Sequence, residues 1–328
     1  MAENKMKEMT LLVSFDLPKT YMRKIQKTSV NVEILQSSDE NELMRLVENA
    51  DILLAGAFSI EMFRKAKKLK WIQTVGAGVN RFLFPEVVKS RVILTSAGGV
   101  HPIPISEHVI GLMLLFCRKL HFFVRYQVER KWERYGEGLM EQVEELSGKT
   151  IGVVGLGKIG NEVAKKAKCL GMKVIATKRN ANTPKPDYVD KLIYPKNLEE
   201  LLAESDFVVL TLPLTRETER MIGETQLKNM KKTSYLINVA RGRIVQEDKL
   251  IQALKEGWIA GAGLDTFESE PLPQNSELWS MKNVIITPHV AGLTPYYFER
   301  LTDIFCENLD RFIHNKTLIN VVDKALGY

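Results

Sequence analysis

Three polar residues follow predicted strands in the last third of the chain, and their types suit acid–base chemistry. Arg241 follows the apolar run SYLINVA, Glu270 follows IAGAGLDTFES, and His289 follows NVIITP. An arginine can hold a carboxylate through two parallel hydrogen bonds. A histidine gives or takes a proton near neutral pH, and a carboxylate on its far ring nitrogen stabilises the imidazolium and fixes the tautomer. Taken singly, each residue also has a structural interpretation, since a histidine after a strand or an arginine in a turn is common.

The segment KTIGVVGLGKIG, which ends at Gly160, predicts dinucleotide binding. It reads as a strand, a glycine-rich turn and a helix, and a second strand, MKVIAT, follows it. Gly155 permits the tight turn, Gly157 lets the backbone approach a pyrophosphate, and Gly160 lets the helix pack against the strand. The free N–H groups at the start of the following helix, NEVAKKAKCLG, are then expected to face the phosphate charge, and Lys158 and Ile159 of the motif are expected to bind the cofactor. The glycine spacing alone is weak, but this strand–turn–helix context favours binding over an ordinary turn.

The end of the second strand predicts which dinucleotide is bound. NAD sites usually place Asp or Glu there to hold the ribose hydroxyls, whereas this chain has Lys178 followed by Arg179. Both side chains can pair with the additional phosphate of NADP through charge-assisted hydrogen bonds. We therefore expect NADP(H) to be favoured, with NAD possible, and a solvated basic turn remains the alternative.

The dinucleotide motif and the three polar residues together predict hydride transfer between a nicotinamide and a 2-oxo or 2-hydroxy acid. Open α/β sheets bind their ligands at the carboxyl ends of the strands, which is where all three residues are predicted to lie. In this interpretation Arg241 anchors the substrate carboxylate and His289 acts as acid and base. Glu270 orients the histidine.

The alternation of short apolar runs with amphipathic segments predicts an α/β fold with parallel sheets. The predicted strands of the first hundred residues are LLVSF, NVEIL, DILLAG, WIQTV and VILT. One long helix is expected from near Pro104 through SEHVIGLMLLFCRKLHFFVRYQV. The predicted strands of the second half are TIGVV, KVIAT, FVVLTL, SYLINV, IAGAGL and NVIIT, the number that a dinucleotide-binding fold needs.

These elements predict two Rossmann-like domains, of which the substrate domain is discontinuous. Residues 1–100 and 290–328 are expected to form the substrate-binding domain, because the tail contains one helix and is too small to fold alone. Residues 101–289 are expected to form the NAD(P)-binding domain.

Composition excludes several other classes of protein. The N-terminal residues lack the apolar core of a signal peptide, and the longest apolar run, VIGLMLLFC, is too short to span a bilayer. The three cysteines are widely spaced without a metal-binding pattern, which is typical of a reducing cytosol. The net charge of +6 is mild for 328 residues, and no nucleic-acid-binding module accompanies it. We expect a cytoplasmic protein without a metal, nucleic-acid or membrane partner.

Longer motifs make the chain resemble the D-isomer-specific 2-hydroxyacid dehydrogenase family. VVGLGKIG, TLPLTRET, NVARGRIV, GLDTFESEPLP and ITPHVAGLT occur in the order and spacing of that family. WIQTVGAGVN and HPIPISEHVIGLML match its first-domain pattern, so the resemblance covers nearly the whole chain. Within the family, the chain most resembles the glyoxylate/hydroxypyruvate reductase group.

The resemblance implies roles for individual residues. It implies the roles already given for Arg241, Glu270 and His289, and it places Asp265 near the nicotinamide carboxamide. The positions that it implies to line the cofactor are Leu212, Pro213, Thr218, Val239, Ala240 and Gly292, together with Arg241 and His289. The positions that it implies to bind the substrate carboxylate are Val75, Gly76 and Ala77, together with Arg241 and His289. Lys178 stands where many members carry Asp.

The resemblance also implies partners and leaves alternatives open. Members of the family are usually dimers, and the long helix after Pro104 and the polar segment around Trp132 resemble the dimer-forming elements. Formate dehydrogenases pair the histidine with glutamine, so Glu270 disfavours that activity. Phosphonate dehydrogenases keep the Arg, Glu and His set and remain an alternative, as does a dinucleotide-sensing, corepressor-like binding protein. The sequence predicts reduction of a short 2-oxo acid without saying which one.

Overall fold

The chain divides into two compact units, Met1–His101 with Thr294–Tyr328, and Pro102–Leu293. This division comes from a computed structural model, which describes residues 9–29, 31–133, 138, 142–179 and 184–328. The described part of the chain contains no helix with the length and apolar character needed to cross a membrane. Residues 1–8 of the polar N-terminal segment lie outside the described residues. So do residues 134–137 and 139–141 of the polar segment that follows Trp132.

The first unit contains a five-stranded parallel sheet with the order β2-β1-β3-β4-β5. Its strands are β1 (Met9–Val13), β2 (Val32–Gln36), β3 (Ile52–Ala55), β4 (Trp71–Thr74) and β5 (Ile93–Thr95). All five are strands that the apolar runs of the sequence predict. The order reverses between β1 and β3, as in doubly wound folds that bind ligands at such a point.

Helices cover both faces of this sheet. They are α1 (Lys19–Thr28), α2 (Glu40–Leu46), α3 (Ile60–Lys65), α4 (Pro85–Lys89) and, from the tail, α11 (Tyr297–Ile313). Leu301, Phe305 and Leu309 of α11 are buried against the same cluster as Trp71 of β4. The rings of Trp71 and Phe305 stack with centroids 5.1 Å apart. The tail helix therefore completes the core of the first unit.

The second unit contains a seven-stranded parallel sheet with the order β12-β11-β10-β9-β6-β7-β8. Its strands are β6 (Thr150–Val154), β7 (Lys173–Thr177), β8 (Lys191–Ile193), β9 (Phe207–Leu210), β10 (Tyr235–Asn238), β11 (Gly261–Leu264) and β12 (Val284–Ile286). Six of these are predicted strands, whereas β8 is not. β8 lies at one side of the sheet and begins with Lys191 directly after Asp190, so charged residues interrupt its apolar run. The order reverses between β6 and β9, as in dinucleotide-binding sheets.

The helices of the second unit also lie on both faces of its sheet. They are α5 (Pro102–Cys117), α6 (Leu120–Val128), α7 (Lys158–Cys169), α8 (Leu198–Glu204), α9 (Glu224–Asn229) and α10 (Glu247–Glu256). The prediction of one long helix after Pro104 is wrong, because the chain breaks between α5 and α6. Lys119 has φ 53° there, and its ammonium donates to the Tyr235 hydroxyl at 3.0 Å. Short 3-10 helices span Val47–Asn49, Asn80–Phe82, Pro195–Asn197, Gly242–Ile244 and Glu277–Ser280.

Candidate active site

The glycine motif lies at the carboxyl end of β6, at the switch point of the seven-stranded sheet. Gly155 has φ 103°, and its N–H donates to the Thr177 hydroxyl at 3.0 Å. A Cβ atom at Gly160 would lie 2.3 Å from the Gly155 carbonyl oxygen, so only glycine lets α7 approach β6 this closely. Lys158 and Ile159 form the first turn of α7, which therefore begins three residues before the helix NEVAKKAKCLG that the sequence predicts.

Gly157 is the position at which the motif fits a dinucleotide. It precedes the first residue of α7, its φ is −86°, and a Cβ atom there would meet no other protein atom within 4 Å. Neither backbone conformation nor internal packing therefore requires glycine at this position. A pyrophosphate lying against the backbone at the helix N-terminus does require it. Burial also lowers the pKa of the neighbouring Lys158 ammonium.

The two basic residues after β7 are positioned differently. Lys178 is partly buried, and its N–H donates to the Ile193 carbonyl of β8 at 3.4 Å. Arg179 is exposed, and its Nη2 lies 2.8 Å from the Glu217 Oε2. Glu217 belongs to the loop after β9. The sequence therefore predicts the basic pair but not its acidic neighbour.

The remaining predicted cofactor-lining residues lie at the ends of neighbouring strands. Leu212 and Pro213 follow β9, and the Thr218 hydroxyl donates to the Pro213 carbonyl at 2.7 Å, which closes the loop. Val239 and Ala240 follow β10 and are buried. Gly292 lies after β12 and is partly buried.

Arg241 is held beside the segment that carries Glu270. Its guanidinium donates to the Ala240 carbonyl at 2.6 Å, and its own carbonyl accepts from Asn238 Nδ2 at 3.0 Å. Burial lowers the pKa of Arg241, and the Glu270 carboxylate acts in the opposite direction. A Cβ atom at Gly242 would overlap the backbone of Phe267 at 1.8 Å. Gly242, for which the sequence predicts no functional role, thus allows the two segments to meet.

Glu270 and His289 form the only hydrogen-bonded carboxylate–imidazole pair among the predicted site residues within the described parts of the chain. His289 Nδ1 lies 2.7 Å from Glu270 Oε2, while Glu270 Oε1 accepts from the Phe267 N–H at 3.0 Å. The His289 side chain is 49% exposed and the Glu270 side chain is 38% exposed. His289 has φ 56°, a conformation that costs about 1–3 kcal/mol for a non-glycine residue. The fold therefore holds this histidine in a conformation that it would not adopt unaided.

Asp265, the residue after β11, is buried. It is 2% exposed and accepts three hydrogen bonds from the segment after β12. The donors are the Thr287 hydroxyl at 2.6 Å, the Val290 N–H at 2.9 Å and the Ala291 N–H at 3.0 Å. On its other side, the Thr287 hydroxyl lies 3.0 Å from His108 Nε2 of α5. Thr287 and His108 lie in the motifs ITPHVAGLT and HPIPISEHVIGLML, but nothing in the sequence predicts a role for either side chain.

The predicted substrate loop, Val75 to Ala77, lies at the carboxyl end of β4 in the first unit. The Val75 N–H donates to the Ala55 carbonyl at 3.3 Å, and the Val75 carbonyl accepts from the Tyr297 hydroxyl at 2.8 Å. The Gly76 carbonyl accepts from the Thr74 hydroxyl at 2.7 Å and from the Ala97 N–H at 3.0 Å. The loop is therefore rigidly held, with the Val75 N–H already used inside the unit.

A metal ion finds no ready site in the described residues. No group of three or more His, Cys, Asp or Glu side chains in that part of the chain could hold one.

Comparison with protein-family models matches residues 110–291 to the D-isomer specific 2-hydroxyacid dehydrogenase, NAD binding domain. This chain belongs to the D-isomer-specific 2-hydroxyacid dehydrogenase family. The match includes the glycine motif, Arg241, Glu270 and His289. The chain is therefore a 2-hydroxyacid dehydrogenase, an oxidoreductase that uses NAD(P).

Curated relatives of this 2-hydroxyacid dehydrogenase are similar over most of their length. The chain is 38% identical over 289 residues to a glyoxylate reductase of Thermococcus gammatolerans, covering 87% of this chain and 85% of the relative. It is 34% identical over 326 residues to a glyoxylate reductase of Pyrococcus furiosus, covering 94% and 96%.

Solved structures share its fold. A D-isomer specific 2-hydroxyacid dehydrogenase family protein of Aeromonas salmonicida is 31% identical with a TM-score of 0.86, covering 97% of this chain and 100% of that one. An NADPH-dependent glyoxylate/hydroxypyruvate reductase of Sinorhizobium meliloti, in complex with NADP and sulfate, is 26% identical with a TM-score of 0.83, covering 98% and 100%. The predicted fold class, an α/β protein with two Rossmann-like domains and parallel sheets, is confirmed.

Proposed function

We propose that this 2-hydroxyacid dehydrogenase reduces a short 2-oxo acid, such as glyoxylate or hydroxypyruvate, to the D-2-hydroxy acid and prefers NADP(H). The observation that carries the proposal is the 2.7 Å contact between His289 Nδ1 and Glu270 Oε2, which lies at the carboxyl ends of the strands, as Arg241 does. The names of the curated relatives, which are glyoxylate reductases, support the substrate class.

His289 acts as the acid and base. A carboxylate only accepts hydrogen bonds, so the Nδ1–H of His289 donates to Glu270 and the transferable proton is held at Nε2. When bound, the dinucleotide supplies the hydride that reduces the carbonyl carbon. His289 Nε2 then protonates the carbonyl oxygen, and in the reverse direction it takes the proton from the hydroxyl. Glu270 stabilises the imidazolium and fixes the orientation of its ring.

Arg241 binds the substrate carboxylate. Its guanidinium is partly buried, where a two-point hydrogen-bonded contact with a carboxylate is stronger than in water. In the first unit, Val75, Gly76 and Ala77 are the further candidate contacts. Because the Val75 N–H already donates to Ala55, the amides of Gly76 and Ala77 are the candidate donors to the carboxylate.

The dinucleotide-binding residues are those of the glycine motif together with the side chains at the neighbouring strand ends. Asp265 and Gly292 lie near the nicotinamide end, and Lys178 and Arg179 bind the additional phosphate of NADP. The solved relatives that carry NADP or NADPH support this preference. The exposed ion pair between Arg179 and Glu217 opposes it, because the phosphate must compete with Glu217 for the guanidinium.

We further propose that the enzyme is a homodimer. One side of α6 presents apolar side chains at four-residue spacing, Leu120, Val124 and Val128, and Trp132 continues that spacing beyond the helix. Val128 is 80% exposed and Trp132 is 98% exposed, and a second copy of the chain would cover them. Sedimentation of the wild type and of Val124→Asp/Val128→Asp tests this. A wild type that sediments as a monomer would refute the dimer.

Steady-state oxidation of NADPH with a substrate panel tests the activity. Glyoxylate and hydroxypyruvate are expected to be reduced with higher kcat/KM than pyruvate or phenylpyruvate. Chiral chromatography of the hydroxypyruvate product is expected to give the D-isomer, and L-glycerate would contradict the proposal. Turnover of phosphite with NADP, but of no 2-oxo acid, would favour the phosphonate dehydrogenase alternative.

A further inference from the structure

A chain of hydrogen bonds extends from α5 to the segment that carries His289. His108 Nε2 lies 3.0 Å from the Thr287 hydroxyl, which lies 2.6 Å from Asp265 Oδ1. All three residues belong to the second unit. They come from the helix that covers the sheet, from the end of β12 and from the end of β11.

The direction of each hydrogen bond follows from the groups involved. The Asp265 carboxylate can only accept, so the single hydroxyl proton of Thr287 points to Asp265. The Thr287 oxygen must then accept from His108, which requires a proton on Nε2 of that ring. Burial lowers the pKa of His108, although Asp265 acts in the opposite direction. The neutral ring carries one N–H, and this geometry assigns it to Nε2.

Asp265 connects this chain to the backbone around His289. Besides Thr287, it accepts from the N–H groups of Val290 and Ala291, the two residues that follow His289. The His289 N–H donates to the Thr287 carbonyl at 3.0 Å. The left-handed conformation of His289 is thus fixed by contacts on both sides of it.

We propose that His108 and Thr287 are positioning residues, which hold Asp265 and, through it, the turn that presents His289 to the substrate. The proposal rests on the role proposed for His289. Neither residue touches the reacting atoms, so their removal is expected to lower kcat more than it changes the KM for the 2-oxo acid. A misplacement of a reacting group by about 1 Å can lower turnover about 100-fold.

A matched set of variants tests this role. Thr287→Val keeps the shape of the side chain and removes the hydroxyl, and we expect kcat to fall about 10- to 100-fold. Thr287→Ser restores the hydroxyl and should recover most of the lost turnover. His108→Phe should lower kcat similarly, and His108→Phe/Thr287→Val should be no worse than Thr287→Val alone, since both act through one contact. Thr302→Val is the control, because Thr302 is 1% exposed and its hydroxyl has no partner among the described residues.

Nitrogen-15 spectra of the histidine rings give a second readout that needs neither cofactor nor substrate. The chain has only five histidines, so the signals of His108 and His289 can be assigned by substitution. We expect the Nε2–H tautomer at His108, and a shifted His289 signal in Thr287→Val but not in Thr302→Val.

Three results would overturn the proposal: an Nδ1–H tautomer at His108, a Thr287→Val enzyme with normal kcat, or equal impairment of Thr287→Val and Thr287→Ser. If the wild type turns over no 2-oxo acid, the proposed function fails. The ring spectra then decide the positioning role separately, and an unshifted His289 signal in Thr287→Val would overturn it.

Discussion

Neutralising Glu217 is expected to increase the preference for NADPH over NADH. In the structure the Glu217 carboxylate lies 2.8 Å from the Arg179 guanidinium, so Arg179 must leave this partner to bind the NADP phosphate. Exposed ion pairs of this kind contribute about 0.2–1 kcal/mol. Glu217→Gln should therefore lower the NADPH dissociation constant by about 1.4- to 5-fold, with little change for NADH.

The chain provides a matched control for this variant. Glu219 lies two residues further along the same loop and pairs with Arg243 instead. Glu219→Gln removes the same charge from the loop without releasing Arg179. Its effect on NADPH binding should be smaller than that of Glu217→Gln at low salt, where long-range charge effects are strongest.

Fluorescence titration of both dinucleotides at low and high salt is the assay. The gain for Glu217→Gln should shrink as salt increases, because both partners are exposed. In an Arg179→Ala background, Glu217→Gln should no longer increase NADPH affinity. Arg179→Ala alone should lower NADPH affinity. Equal gains in Glu217→Gln and Glu219→Gln would refute the competition, and a wild type that prefers NADH would refute the phosphate site itself.

Variants of His289, Lys324 and His121 test three further side chains. His289→Ala should lower kcat by about 10²–10⁴ in steady-state kinetics, and near wild-type turnover would remove the acid–base role. Lys324→Met should lower the free energy of unfolding by about 1–3 kcal/mol in urea titrations, since the Lys324 ammonium donates to the carbonyls of Val87, Ser90 and Val92 at 3.1, 2.7 and 3.1 Å. An unchanged midpoint would show that water replaces those bonds. Burial lowers the pKa of His108 and His121, so the unfolded chain binds more protons below the ordinary value of 6.5 and stability should fall as pH drops through it. His121→Phe should reduce this slope in denaturant titrations at pH values on either side of about 6.5, and an unchanged slope would contradict it.

The sequence predicted best those features that a residue type alone can report. Gly160 had to be glycine because a side chain there would collide with the Gly155 carbonyl, and this steric requirement is visible in the motif. The strands of both sheets were predicted because buried parallel strands are nearly continuous apolar runs. β8 was missed because it begins with Lys191 and follows Asp190, so charged residues interrupt its apolar run.

Features that depend on tertiary contacts could not be predicted. The break between α5 and α6 occurs at Lys119, a residue type that does not signal a left-handed conformation. His108 lies in a mainly apolar helix, and only the folded structure brings its ring to Thr287, 179 positions later in the chain. The contact between Glu217 and Arg179 could not be predicted either, because loop side chains have no periodicity that would indicate their direction.

His289 lies three residues beyond the end of β12, and this position has a consequence for inactivation by heat. β12 has only three residues, lies at one edge of its sheet and is hydrogen-bonded there to β11. Short edge segments open at lower free energy than the strands inside a sheet, and such opening needs no global unfolding. The N–H groups of Val290 and Ala291 donate to Asp265, which connects the turn after β12 to the end of β11 and opposes this fraying. We therefore expect warming to disturb the position of His289 by loosening this edge before the rest of the sheet opens.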